Sequence, residues 1–111
     1  MNTCVLSGRL ARNAAVVGKE KKALSFTLAC KHGYDGKAKE DRTEFVPCVL
    51  FQPSDAIAER LSQSGKGVFI EVKGRVATSS YESGGERKFK TEVVVESRSL
   101  NFVSGNGRKQ D

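Results

Sequence analysis

Alternation at a spacing of two is the feature that most constrains this chain. Leu24, Phe26, Leu28 and Cys30 fall on one parity, while Ser25, Thr27, Ala29 and Lys31 take the other. A helix turning every 3.6 residues cannot gather such a set on one side, whereas a strand buries one parity and wets the other. The period recurs upstream, where Cys4, Leu6, Gly8 and Leu10 alternate with Thr3, Val5, Ser7 and Arg9, and downstream, where Val68, Ile70, Val72, Gly74 and Val76 alternate with Phe69, Glu71, Lys73 and Arg75. Residues 43–51 and 89–96, rich in Val and Phe, read as two further strands. Pro47 offers no ladder donor, which predicts an edge or a bulge at that point. Residues 100–103 extend the last strand or add a short one.

Between the strands, the Gly- and charge-rich stretch 32–42 predicts a long mobile hairpin loop, with Gly33 and Gly36 permitting turns. One helix is predicted. Pro53 and Ser54 open it, with Ser54 as N-cap and Asp55 in the first turn; Ile57 and Leu61 share a face, and Gly65 and Gly67 end it. Ser83-Gly84-Gly85 closes a hairpin between the fourth and fifth strands. Residues 104–111, rich in Gly and polar side chains, are expected to form a disordered tail. A chain of 111 residues builds a single core and no second domain. Five strands with one short helix between the third and fourth is the element order of the OB-fold, an all-β barrel whose faces and loops commonly bind oligonucleotides. The expected domain covers residues 1–103.

Charge and cysteine usage narrow the function. Lys and Arg number 19 against 13 Asp and Glu, a formal charge of +6. Cys4, Cys30 and Cys48 are odd in number and form no C-x-x-C pair, so three free thiols are expected. The single histidine, His32, sits beside Gly33 with no sequence-named partner and reads as an exposed loop residue, so no metal site or cofactor is expected. The apolar runs fall far short of the roughly 18 residues of a membrane span, and no secretory leader is visible, which predicts a soluble cytoplasmic protein.

Several blocks resemble the bacterial-type single-stranded DNA-binding protein family. Residues 1–10 are similar to its first strand, Ser25-Phe26-Thr27-Leu28-Ala29 to its second, and Thr43-Glu44-Phe45 with Val49-Leu50-Phe51 to its Thr-Glu-Trp block and the strand end that follows. Lys66-Gly67 through Gly74-Arg75-Val76 resembles the fourth strand, and Thr91-Glu92-Val93-Val94-Val95 the fifth. The resemblance covers residues 1–103 and implies an OB-fold that stacks bases on aromatic rings. On that resemblance Tyr34, Phe45, Phe51 and Tyr81 fall at its aromatic positions, each smaller than the Trp the family often carries.

Elementary chemistry points the same way, since every base presents a π-face and an aromatic platform therefore binds without reading sequence. Tyr34 is flanked by Lys31, Lys37 and Lys39, and Tyr81 is followed across its turn by Arg87, Lys88 and Lys90, so rings and cations interleave. Arg9, Arg12, Lys66, Lys73 and Arg75 complete the candidate DNA-binding set. Parity leaves two readings of Phe45 and Phe51, core or binding surface, of which binding is preferred; Tyr34 and Tyr81 sit in polar hairpins where a core role is harder to supply.

Two departures from the family pattern weaken its usual electrostatic track: Ala77-Thr78-Ser79-Ser80 stands where basic residues often precede the hairpin aromatic, and Pro47 replaces a position often basic. The sequence given ends without the acidic, Phe-terminated tip through which the family's cellular members recruit enzymes, so a core-only variant is expected. The expected function is sequence-independent coating of single-stranded DNA in replication, recombination or repair, as a homo-oligomer, dimer or tetramer, with Val5 exposed on the first strand as the self-association feature. The alternatives are a primosomal accessory protein of the same fold bridging single strands and helicase-loading proteins, a small nuclease, and a protein-interaction barrel whose charge only solubilises it. A nuclease wants clustered carboxylates or histidines, and the acids here are scattered, so no enzyme is expected.

Overall fold

The structure, a computed structural model, describes residues 1–20 and 22–103. Among these the element order is β1 (Cys4–Leu10), β2 (Ala15–Val17), β3 (Ala23–Asp35), β4 (Glu40–Phe51), α1 (Asp55–Ser64), β5 (Phe69–Ser83), β6 (Glu86–Val95) and β7 (Asn101–Phe102). Five long strands curl into a ring in the order β1-β3-β4-β6-β5, closed by pairing of β1 with β5. Neighbours in the ring are antiparallel except β4 and β6, which run parallel through Cys48↔Val93 and Val49↔Val94. Short β2 pairs with β3 and short β7 with β5. The all-β OB barrel with one helix is therefore present. Because β2 enters the count early, α1 lies between β4 and β5, which are the third and fourth of the five long strands in chain order.

The parity read from the sequence decides what lies inside. Leu24 faces Leu50, Phe26 faces Cys48, and Leu28 faces Val46 on one side and Leu10 on the other. These residues join Ile70, Val72, Val93 and Val95 in one core. Each large side chain buried this fully contributes about 1.5–3 kcal/mol. Helix α1 delivers Leu61 to the same cluster, at 0% exposure, and Ala14 N–H donates to the Leu61 carbonyl at 2.8 Å. Its start is as expected, with extended Ser54 accepting from the Ile57 N–H at 3.2 Å through Oγ, and Gly65 caps its end. No helix among the described residues is long and apolar enough to cross a membrane.

The stretch 32–42 differs from expectation. It is not a long loop: β3 runs on to Asp35, β4 begins at Glu40, and only residues 36–39 turn. Asp35 Oδ1 accepts from the N–H groups of Lys37 at 2.9 Å and Ala38 at 3.2 Å, closing the turn. The ladder shifts register between Lys31 and Gly33, which bends this two-stranded arm relative to the barrel. The arm was not legible as strand because its side chains are almost all in solvent, so nothing selects for alternating polarity there. The β5–β6 hairpin likewise continues to Ser83 and Glu86, turning on Gly84 and Gly85 at φ 61° and 83°, the left-handed backbone that a two-residue hairpin turn requires.

Pro47 pairs with Thr27, and β6 joins β4 only from Cys48 onward, so the other side of Pro47 is unpaired and the expected edge is present without a bulge. Cys4, Cys30 and Cys48 are free thiols, as expected. Burial first, and then the neighbouring Cys30, Cys4 and Glu92, push the Cys48 thiol up to about 12. The expected tail, 104–111, lies outside the described residues.

Candidate nucleic-acid interface

Outward parity on the barrel assembles a transverse row of side chains. Phe69 of β5 is paired with Arg9 of β1, Arg9 with Ala29 of β3, and Ala29 with Phe45 of β4, so four residues from four strands share one face in register. The Arg9 guanidinium lies 5.1 Å from the Phe69 ring centroid, and its Nη1 donates to the Gly67 carbonyl at 2.8 Å. Small Ala29 leaves a depression in this row, lined also by Ser7, Lys31 and Thr43. Lys31 stands opposite Thr43 in the ladder, with its Nζ 3.1 Å from Asp41 Oδ2. A flat aromatic ring, a planar cation and a second ring in one line suit a stack of bases with phosphates alongside.

All four aromatics named from the sequence are exposed: Tyr34 62%, Phe45 64%, Phe51 56% and Tyr81 50%. The two readings of Phe45 and Phe51 are thereby resolved against the core. They share the outer face of β4 with Pro47, while Val46, Cys48 and Leu50 point inward. Tyr34 lies on the β3–β4 arm opposite Asp41, with Lys37 in the turn beyond it. Tyr81 lies on the β5–β6 arm opposite Lys88, and Lys90 follows on the same face, its charge shared with Glu92 at 3.5 Å. Aromatic groups thus stand on the barrel face and on both arms.

The basic candidates divide. Arg9, Lys31 and Lys88 stand beside aromatic rings or their row. Arg87 pairs with Glu82 and projects on the face of its arm opposite Tyr81. Arg12 is exposed in the turn after β1. The backbone N–H of Lys66 donates to Asn13 Oδ1 at 2.9 Å just after α1. Lys73 is four residues from Phe69 along β5, about 13 Å at strand rise, and its Nζ lies 3.8 Å from Glu96. Arg75 lines a separate depression with Asn2, Lys73 and Glu96. Lys73 and Arg75 are therefore not brought to the aromatic row.

Three aromatics were missed, one of them Phe102 of β7, 46% exposed. Phe69 carries opposite parity to Ile70, which already marks it as outward-facing, and Phe89, 69% exposed between Lys88 and Lys90, occupies the face of its arm opposite Tyr81. Only the Phe69 signal was present in the alternation: Phe89 shares the parity of buried Val93 and Val95, and it is exposed because its part of β6 lies on the arm beyond the barrel.

A five-stranded ring with exposed rings and interleaved cations on its outer face is the architecture of an oligonucleotide-binding barrel. Residues 1–103 match the family model described as the single-strand binding protein family, and the chain belongs to that family. It is similar to a single-stranded DNA-binding protein of Clostridium perfringens, 35% identical over 113 residues, covering 96% of this chain and 69% of that one. It is also similar to single-stranded DNA-binding protein 1 of Streptococcus agalactiae serotype III, 32% identical over 104 residues, covering 90% of this chain and 62% of the relative. The fold is shared with a solved structure described as Plasmodium falciparum SSB complex with ssDNA, at TM-score 0.73 and 18% identity, over 94% of this chain and 96% of that one.

Proposed function

We propose that this chain binds single-stranded DNA through the outer face and arms of its barrel, without base-sequence specificity, and coats and protects the strand during replication, recombination or repair. The observation that carries this reading is the exposure of Phe45, Phe51, Tyr34 and Tyr81, large rings left in water on the face and arms of a +6 chain. Stacking on such rings contributes about 1–3 kcal/mol per base and tolerates any base, because every base presents a π-face, which in a duplex is covered by its neighbours. Relatives named single-stranded DNA-binding proteins support it. Residues 1–103 constitute the binding domain, and the chain acts by binding, with no reaction of its own.

Self-association is part of the proposal. Val5 is 65% exposed on β1, and β3 pairs with β1 only at Arg9 and Leu10, which leaves one backbone edge of the Val5 segment unpaired. A second copy satisfies both, giving a dimer or a higher homo-oligomer. The test is a titration of oligo-dT and of duplex of equal length at two salt concentrations, with light scattering alongside. Contact with about 4–6 phosphates gives a log–log salt slope of roughly −3 to −4, at about −0.7 per phosphate. Equal affinity for duplex refutes the reading, and a monomer by light scattering refutes the assembly.

A further inference from the structure

Arg9 and Phe69 belong to two depressions at once. One is the aromatic row of the barrel face; the other opens beside it and is completed by Arg60 of α1, Gly67 and Phe102 of β7. This second cavity holds two guanidinium–ring pairs, Arg9 at 5.1 Å from the Phe69 centroid and Arg60 at 5.8 Å from that of Phe102. Both cations are held in place. Arg9 donates to the Gly67 carbonyl at 2.8 Å, and Arg60 Nη1 donates to the Ser64 carbonyl at 3.1 Å and to Ser64 Oγ at 3.2 Å. The Phe102 ring is positioned by β7, where Phe102 pairs with Ile70 and Val103 N–H donates to the Phe69 carbonyl at 3.0 Å, and it stays 46% exposed.

The charges are not spent inside the protein. Among the described residues the ion pairs are made by Lys31, Lys73 and Lys90, and the remaining carboxylate contact is His32 Nε2 to Glu44 Oε1 at 3.3 Å, so neither Arg9 nor Arg60 is neutralised by a carboxylate. A guanidinium carries five N–H donors in a plane, so one that spends a donor on a carbonyl still has others for a phosphate, and bases stack on such planes as they do on rings. The cavity therefore repeats, one step along, the chemistry of the face it adjoins.

We propose that a single-stranded DNA chain bound on the barrel face continues past Arg9 and Phe69 into this cavity, where Arg60 contacts its phosphate and Phe102 stacks its next base. The inference rests on the reading of the face as a DNA site and extends it to a helix residue and a C-terminal strand residue. Continuity through Arg9 and Phe69 is what selects a nucleic-acid strand over an acidic peptide as the occupant.

The experiment uses the full chain and labelled oligo-dT of two lengths, about 6 and about 16 nucleotides, within the range one OB barrel occupies. Arg60→Gln and Phe102→Ala are expected to weaken the longer oligonucleotide about tenfold and the shorter less than about twofold, and Arg60→Gln to reduce the salt slope on the longer one by about 0.7. Arg60→Lys restores that slope, and Phe102→Leu keeps apolar volume without a ring should Phe102→Ala unfold. Phe45→Ala, in the row with Arg9 and Phe69, weakens both lengths and so reports on the face itself. If Phe45→Ala weakens binding while the Arg60 and Phe102 variants match the wild type at both lengths, the extension is wrong and the face reading stands. Equal losses at both lengths, a changed assembly by light scattering, or an acidic aromatic peptide that occupies the cavity while the longer DNA stays bound each overturn it as well. A wild type that shows no preference for single strands overturns both.

Discussion

Phe26 and Phe45 sit on neighbouring strands of one hairpin, and truncating each to Ala separates the two jobs a phenylalanine does in this fold. Phe26 is 4% exposed against Cys48 inside the barrel. Its loss removes the full transfer energy of the ring and leaves a cavity that the surrounding strands cannot fill, a cost of about 3–5 kcal/mol. Phe45 is 64% exposed. If full burial of a Phe is worth about 1.5–3 kcal/mol, the roughly one third of Phe45 that is covered contributes only about 0.5–1 kcal/mol. Binding reverses the order. A base stacked on Phe45 contributes about 1–3 kcal/mol, so Phe45→Ala weakens oligo-dT about 5- to 150-fold. Urea denaturation gives the stabilities, and fluorescence anisotropy with labelled oligo-dT gives the affinities. Phe45→Ala as destabilised as Phe26→Ala would return the ring to the core. Phe45→Ala with near-native stability and unchanged affinity would refute the platform assignment.

Three further outcomes are expected. Gly74→Ala places a Cβ 2.2 Å from the Val94 carbonyl oxygen, a contact only backbone movement can relieve, so it costs upwards of about 3 kcal/mol or prevents folding, read by thermal melting or soluble yield. Ser54→Ala removes the Oγ acceptor of the Ile57 N–H and lowers stability by about 1 kcal/mol in urea; no change would mean that the α1 cap contributes nothing. The Cys48 thiol, raised from 9.0 to about 12, keeps its proton in the folded state where the unfolded chain releases it, so its contribution is full below pH 9 and is lost as pH rises from 9 towards 12. Urea midpoints of the wild type and Cys48→Val across that window test this, and an equal decline in both refutes it.

The alternation of Leu24 to Cys30 and of Val68 to Val76 determined from sequence alone that these segments are strands and which parity lies inside, because a two-residue period admits no other compact arrangement. Ser54, Gly65 and the Gly84-Gly85 turn were equally legible, since caps and turns are local chemistry. The two exposed arms were legible only in part, because backbone pairing in open solvent leaves little mark on side-chain polarity. Tertiary structure alone decided what stands beside what. That Phe45 faces outward could not follow from a strand whose parity also buries Val49; it follows from pairing with Ala29, which puts Phe45 in one row with Arg9 and Phe69. The same closure brings Arg60 of a helix to Phe102 of a distant strand, while Lys73 and Arg75 stay out of the row because they lie further along β5 than Phe69. Local periodicity fixes the face a side chain takes within its own strand, but its neighbours across the sheet are set by strand order and register, which belong to the closed barrel and not to any one segment.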